Sequence, residues 1–172
     1  ISISGNDMYI ADFGNHRIRK ISNFTSNNPN DKDVTVLAGT VAGNANTIKN
    51  GPALISTFFN PSQILCNDDH FLISEQNRIR SISADSVGNF YVKTVNGGVA
   101  GAANTNTISA SREYAGLYID KDDNISYTDR ITDSIGTIID GKVNDINRLV
   151  AGNLGIGAGS NKSTYGFIKI TN

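Results

Sequence analysis

One cysteine, one methionine, two histidines and no tryptophan occur among the 172 residues, and neither sign of charge predominates. The lone Cys66 rules out an intrachain disulfide framework and any zinc site built on cysteines. Fifteen Lys and Arg stand against sixteen Asp and Glu, a net charge of −1. Such a balance lacks the basic field that carries most nucleic-acid affinity, unless a local patch survives folding. No apolar run approaches the roughly 18 residues of a membrane-crossing helix. The opening Ile1-Ser2-Ile3 offers neither an initiator methionine nor a charged-then-apolar leader. The chain is therefore expected to be a processed product or a piece of something longer. In place of charge it is rich in Asn (22) and in Ser and Thr (29 together), with 17 Gly as turn formers. That length and apolar content suit one ordinary folded domain.

Internal repeats organise the chain. Met8-Tyr9-Ile10-Ala11-Asp12 returns as Phe71-Leu72-Ile73-Ser74-Glu75 and again as Ile125-Ser126-Tyr127-Thr128-Asp129. Arg17-Ile18-Arg19-Lys20-Ile21 returns as Arg78-Ile79-Arg80-Ser81-Ile82. Val36-Leu37-Ala38-Gly39 is matched by Leu149-Val150-Ala151-Gly152 and, more weakly, by Thr94-Val95-Asn96-Gly97. Three units, near residues 5–67, 68–120 and 121–172, cover nearly the whole chain as a single domain.

Within a unit the apolar period is two, the mark of half-buried strands. Met8 and Ile10 alternate with Tyr9 and Ala11, and Ile18 points away from Arg17 and Arg19. Phe90–Val95 is aromatic and β-branched, as strands prefer. Ser4-Gly5-Asn6-Asp7, Asn67-Asp68-Asp69 and Lys121-Asp122-Asp123-Asn124 are turn chemistry between apolar runs. In the first unit the four strands are expected near 7–12, 16–22, 34–38 and 62–67. A long connection from Gly39 to Pro61 precedes the last, and only Pro52–Phe58 within it suits a helical turn. Four-stranded units in tandem imply an all-β fold, a β-propeller segment of about three four-stranded antiparallel blades.

Three segments carry a family resemblance. They are Asp7-Met8-Tyr9-Ile10-Ala11-Asp12-Phe13-Gly14-Asn15-His16-Arg17-Ile18-Arg19-Lys20-Ile21, Val34-Thr35-Val36-Leu37-Ala38-Gly39-Thr40 and Phe58-Phe59-Asn60-Pro61-Ser62-Gln63-Ile64. In that order they resemble the NHL-repeat family of β-propellers. The second unit keeps Asn77-Arg78-Ile79-Arg80-Ser81-Ile82 without the histidine, and the third keeps Tyr127-Thr128-Asp129 and Val150-Ala151-Gly152. The resemblance implies a fold, and the last of the three segments leads into the next blade's innermost strand. Its members include protein-binding modules, RNA-binding modules and, on related propellers, enzymes, so function must come from the site.

Ile1-Ser2-Ile3-Ser4 and Phe167-Ile168-Lys169-Ile170 occupy one place in the repeat, shared with Ile64-Leu65-Cys66-Asn67. Three blades would leave two apolar faces uncovered, a patch size that soluble monomers seldom tolerate. Either the chain belongs to a longer propeller, or copies associate end to end. Ile1, Ile3, Phe167, Ile168 and Ile170 are thus the candidate self-association strands.

The chemistry candidates are few. His16 lies inside the repeat signature and reads as structural; His70 follows two aspartates and reads as a solvated turn residue. A lactonase-like or lyase-like propeller needs converging Glu, Asp and His ligands, and no such set is apparent. Asp120–Asn124 superficially matches a calcium loop, but Ile125 stands where that loop requires Gly and Ile131 where it requires Glu. Gly155–Ser163 imitates a phosphate loop, with Asn161 where Gly should precede Lys. Arg17, Arg19, Arg78 and Arg80 could form a basic stripe of the kind that binds RNA, though the nearby Asp7, Asp12, Asp68, Asp69 and Glu75 would partly cancel its field, and cross-strand ion pairing is the expected use. Sequons at Asn23, Asn124 and Asn161 are no more than this composition yields by chance.

The expected function is therefore a non-catalytic propeller presenting loops and blade edges for protein contact, with no catalytic, metal-binding or cofactor site. The alternatives are a self-assembling ring- or filament-forming subunit and, by fold analogy alone, a propeller enzyme. Expected partners are proteins or further copies of the chain, without nucleic acid or a membrane span. Low charge and abundant Asn, Ser and Thr suit an extracellular or cell-surface setting.

Overall fold

The structure, a computed structural model, describes residues 1–40, 48–67, 70–75, 77–97, 114–122, 124–129, 134–139 and 142–148. Three antiparallel sheets follow one another along the chain. The first is formed by β1 (Ser2–Ser4), β2 (Asp7–Asp12), β3 (Arg17–Ile21) and β4 (Val34–Ala38), side by side in that order. The second contains β5 (Gly51–Pro52), β6 (Gln63–Asn67), β7 (His70–Glu75), β8 (Arg78–Ala84) and β9 (Phe90–Asn96), ordered β5-β9-β8-β7-β6. The third is β10 (Tyr114–Ile119), β11 (Ile125–Asp129), β12 (Ser134–Ile139) and β13 (Lys142–Arg148), again in chain order. Among the described residues the helical content is three single turns of 3-10 helix, at Phe13–Asn15, Pro29–Asp31 and Ala53–Ile55.

Short polar turns impose this meander. Gly5 takes φ +56° between β1 and β2, a value that costs glycine little. The turns Asp85–Asn89 and Asp120–Asn124 share one device. In the first, Asp85 Oδ1 accepts the N–H groups of Val87 (3.0 Å) and Asn89 (2.8 Å). In the second, Asp120 Oδ1 accepts those of Asp122 (2.8 Å) and Asn124 (2.9 Å). Each aspartate is held ionised below its ordinary range, chiefly by its bonds from Asn89 in the first turn and Asn124 in the second.

Two expectations need correction. The strand expected at 62–67 as the fourth of the first unit instead opens the second sheet: Asn67 pairs with His70 and Ile64 with Ile73. Two strands joined by so short a turn have no room to do anything but pair, so each sheet begins one strand earlier than the sequence units. The same offset puts Leu117-Tyr118-Ile119 at the start of the third sheet. In addition, the second sheet gains a fifth strand, because the long connection lays Gly51 and Pro52 against Val92 and Tyr91 of β9. The helical turn expected at Pro52–Phe58 is present as Ala53–Ile55, with Pro52 just outside its first turn.

The registers of the three sheets coincide. Ile10 faces Arg19, Ile73 faces Arg80 and Tyr127 faces Gly136; Ala11 faces Ile18, Ser74 faces Ile79 and Thr128 faces Ile135. Sequence repeats and pairings of the second and third strands therefore agree residue by residue, but the fourth strand of the third sheet departs from the repeat: Ile135 pairs with Ile146, where the match to Ala38 would place Ala151. A register shift interrupts the pairing of third and fourth strands in every sheet, at Ile18/Arg19, Ile79/Arg80 and Ser134/Ile135.

Alternation then sends each strand's apolar residues to two different cores. Tyr9, Ile18 and Ala38 of the first sheet meet Ile64, Phe71, Ile73, Ile82 and Val92 of the second. Leu72 and Ile79, from the opposite face of the second sheet, meet Leu117, Ile125, Tyr127 and Ile138 of the third. Tyr9 and Phe71 close the first core with ring centroids 4.6 Å apart, and Tyr114 and Tyr127 the second at 5.0 Å. β1 lies against β6, and β6 against β10. Polar clasps hold that order: Cys66 N–H donates to Ser2 Oγ (3.0 Å), and Leu117 N–H to Gln63 Oε1 (2.8 Å). Each full burial of such a side chain stabilises by about 1.5–3 kcal/mol, so the stacking of sheets, more than any one sheet, supports the fold.

Candidate functional site

The most elaborate polar arrangement among the described residues surrounds Arg80. Strand alternation puts this side chain, opposite Ile73, on the face shared by Phe71, Ile73 and Ile82. There its Nη1 donates to Glu75 Oε1 (2.7 Å) and to the Thr57 carbonyl (3.0 Å). Its Nη2 donates to the Lys49 carbonyl (3.2 Å) and to Asn50 Oδ1 (2.9 Å), and the Phe58 ring lies 5.0 Å from the guanidinium carbon. The second oxygen of Glu75 accepts the Phe59 N–H. Neither charged side chain is more than 1% exposed. One ion pair thus fastens the connection between the first two sheets onto the second.

The first sheet holds the counterpart. Asp12 occupies the repeat position of Glu75, Arg19 that of Arg80, and Arg19 Nε donates to Asp12 Oδ2. Among the described residues no connection covers this pair, and the Arg19 and Asp12 side chains are 31% and 19% exposed. Hydrogen bonds from Arg19 and then Asn15 hold the Asp12 carboxyl below the usual range. A second pair, Lys20 with Asp7 at 2.6 Å, lowers Asp7 and raises Lys20. The third sheet has abandoned the pattern. Gly136 stands at the arginine position, with Tyr127 packed so closely over it that no Cβ fits.

Exposure of the first pair belongs to a wider feature. Ile3, Met8, Ile21 and Val34 stand in one row across the first sheet, on the side away from the second. Ile3 is 54% exposed, Val34 60% and Ile1, at the edge of the same face, 73%. The matching row in the second sheet is Cys66, Phe71, Ile82 and Val92, and it is covered by the first sheet. The first sheet therefore exposes the face that the second sheet buries.

Of the candidate self-association residues, Ile1 and Ile3 accordingly lie on this face, while Phe167, Ile168 and Ile170 fall outside the described residues. The four arginines form no basic stripe. Arg78 and Arg80 are buried, Arg80 and Arg19 are ion-paired with Glu75 and Asp12, and Arg19 lies on the uncovered face. His16 is structural, as its place in the repeat suggests. In a left-handed conformation (φ +56°), it accepts the Asn60 N–H at Nδ1 (3.2 Å) and stacks on Phe59. His70 departs from expectation: it begins β7, half-buried and paired with Ser83, because the hairpin closes earlier than the aspartates suggest. At Asp120–Asn124 the carboxylate serves amide donors of its own turn. Gly155–Ser163 and Asn161 lie outside the described residues.

A groove of about 500 Å³ runs between β4, the turn at Ala53–Ile55 and the hairpin before β9, lined by residues such as Leu37, Pro52, Leu54 and Tyr91. It brings together no acid–base or nucleophile–base pair. Among the described residues, no three His, Cys, Asp or Glu side chains gather where they could hold a metal ion, and no helix is long and apolar enough to cross a membrane. What the sequence did not reveal was the backbone of residues 49–59, which covers the Arg80–Glu75 pair and makes this arginine a buried anchor. In comparison with known proteins, the sequence matches no family model and no curated protein.

Proposed function

We propose that this chain is an NHL-type β-propeller segment acting as a non-catalytic module for protein interaction and assembly, in an extracellular or cell-surface setting. One observation carries the reading: repeat-equivalent faces, one receiving and one presenting, stack in the same order twice along the chain. Stacking of that kind turns each successive sheet through a similar step, which is how blades are added around an axis. The polar clasps from Ser2 and Gln63 join the first strands of the three sheets, β1, β6 and β10, in sequence order. Adaptable Asn-, Ser- and Thr-rich connections, together with apolar sheet faces, suit macromolecular contact better than bond chemistry.

Imaging of purified particles by electron microscopy tests the architecture: an arc or ring of radially arranged blades is expected, and a flat sandwich overturns it. Metal analysis of the same preparation, with turnover assays on lactones and peptidyl substrates, tests the catalytic class. Stoichiometric metal with saturable turnover would replace this reading by an enzymatic one.

A further inference from the structure

We propose that Asn50 is a site of covalent self-modification: its carboxamide, activated by the buried Arg80 guanidinium, deamidates without an enzyme and becomes an aspartate bound to the same arginine. The chemistry goes beyond the propeller reading and does not depend on it. It needs only the clasp between residues 49–59 and the second sheet.

Asparagine followed by glycine is the dipeptide most open to this reaction, because glycine has no side chain to obstruct approach of its backbone nitrogen to the preceding carboxamide. The chain holds two, Asn50-Gly51 and Asn96-Gly97. Asn50 is exposed, so water and hydroxide reach it. Its Oδ1 accepts Arg80 Nη2 (2.9 Å) and Thr94 Oγ1 (3.2 Å), and a guanidinium, having no acceptor, fixes that atom as oxygen. Both donors draw charge from the carbonyl, and the cationic one acts from a fully buried side chain, where attraction is least screened. Arg80 Nη2 also holds the Lys49 carbonyl (3.2 Å), which pins backbone and side chain together. Gly51 lies in β5, two residues long and ended by Pro52, which has no N–H to extend the pairing. A strand that short opens at low cost and frees the Gly51 nitrogen.

Asn96 is the internal contrast. It is 2% exposed; its Oδ1 accepts the N–H of Gly97 itself (2.7 Å), and its Nδ2 donates to Tyr114 Oη (3.3 Å). The nitrogen that would attack and the nitrogen that would leave are both tied, away from water.

At Asn50, solvent base removes the Gly51 N–H proton and the nitrogen bonds to Cγ. Negative charge gathers on Oδ1, against Arg80 and Thr94, until the bond from Cγ to Nδ2 breaks and ammonia leaves with a solvent proton. The five-membered succinimide that remains has two carbonyls. Arg80 polarises the one at Cγ, so water adds there, the bond to the Gly51 nitrogen breaks, that nitrogen takes back a proton, and ordinary aspartate results. Attack at the other carbonyl gives isoaspartate, the commoner product in an unstructured chain. One water is consumed and one ammonia released, with no oxidant or reductant. The product carries one negative charge more than the −1 of the parent chain, and it gives Arg80 a second carboxylate beside Glu75.

Peptide mapping by mass spectrometry of the folded 172-residue chain, incubated in mildly alkaline buffer, is the test. Electron-transfer fragmentation separates aspartate from isoaspartate. Asn50 is expected to convert roughly tenfold faster than Asn96, with aspartate in excess of isoaspartate. In urea, with both dipeptides unfolded, the two rates converge and isoaspartate predominates at each. Glu75→Gln with Arg80→Met, which removes both buried charges, slows conversion at Asn50 roughly tenfold and abolishes the preference for aspartate. If that double variant fails to fold, Thr94→Val decides in its place: a slower conversion supports the proposal and an unchanged one overturns it. An Asn50 that stays intact in the folded chain overturns it too. So do conversion no faster than at Asn96, an excess of isoaspartate at Asn50, and a folded double variant that reacts as the wild type does.

Discussion

The guanidinium of Arg80 and the carboxylate of Glu75 meet at 2.7 Å in complete burial, five residues apart in the chain and on adjacent strands. Asp12 and Arg19 make the same pairing in the first sheet, partly open to water. One sequence pattern thus produces two electrostatic environments in one molecule, and the difference is measurable.

Glu75→Ala leaves Arg80 charged and uncompensated inside the protein, a change expected to cost about 3–5 kcal/mol. Asp12→Ala, at the solvent-screened counterpart, is expected to cost no more than about 1 kcal/mol. The double variant Glu75→Gln, Arg80→Met removes both charges and loses less than Glu75→Ala alone. Urea denaturation of the three variants, followed by far-ultraviolet circular dichroism, checks the ranking. Equal losses for Glu75→Ala and Asp12→Ala would show that burial does not distinguish the pairs.

Acid should weaken the first sheet before any other change in covalent or bound state. Hydrogen bonds from Lys20 and Arg19 hold Asp7 and Asp12 below their ordinary 3.8. A carboxyl depressed in the folded state contributes stability that is complete above its unfolded value and lost as pH falls through the folded one. The denaturation midpoint is therefore expected to drop as pH falls below about 4. Lys20 acts in the opposite sense: raised above 10.5, it contributes fully below that value and loses its contribution as pH rises beyond it. Asp7→Asn and Asp12→Asn should each flatten the acid limb by about 0.5–1 kcal/mol. A pH titration of the midpoint in which these variants track the wild type would contradict the assignment.

Gly39 and Gly97 close the fourth strands of the first and second sheets at φ +96° and +91°. A Cβ at Gly97 would collide with the Asn77 carbonyl and with Arg78, and at Gly39 with the His16 carbonyl. Both collisions involve backbone at the start of a third strand, which cannot swing aside. Gly97→Ala is expected to cost more than about 3 kcal/mol and Gly39→Ala about 2–3 kcal/mol. Gly5→Ala, at φ +56° in open space, bears only the left-handed penalty of about 1 kcal/mol. Thermal midpoints of the three variants read the order directly; a Gly5 loss as large as that at Gly97 would refute the steric account.

Much of the fold was legible along the chain. The period of two in Met8–Asp12 and Arg17–Ile21 marked strands, because a half-buried strand must alternate. Turn clusters marked their ends, and the pairing of Asp12 with arginine followed from strands that meet across a tight connection. Which arginine answers each acid was not legible. Asp12 faces Arg17 and Glu75 faces Arg78, yet the bonds go to Arg19 and Arg80. The register shift that accompanies this choice is a backbone irregularity without a residue signature. Of the candidate face, Ile1 and Ile3 were legible as members of a repeated strand. Their row with Met8, Ile21 and Val34 appears only once four strands are aligned.

Local chemistry, then, established strands, turns and a threefold repeat, since alternation and left-handed turn residues act over a few neighbours. Tertiary structure alone decided that Arg80 is sealed while Arg19 is partly open, and that one apolar face is covered while its equivalent is partly exposed. Those outcomes depend on groups distant in sequence, such as Thr57 over Arg80, 23 residues apart, and Ser2 beside Cys66, 64 apart. Burial is a property of what arrives from a distance, and the same residue in the same local pattern is buried or exposed according to whether a neighbouring sheet and its connection lie over it.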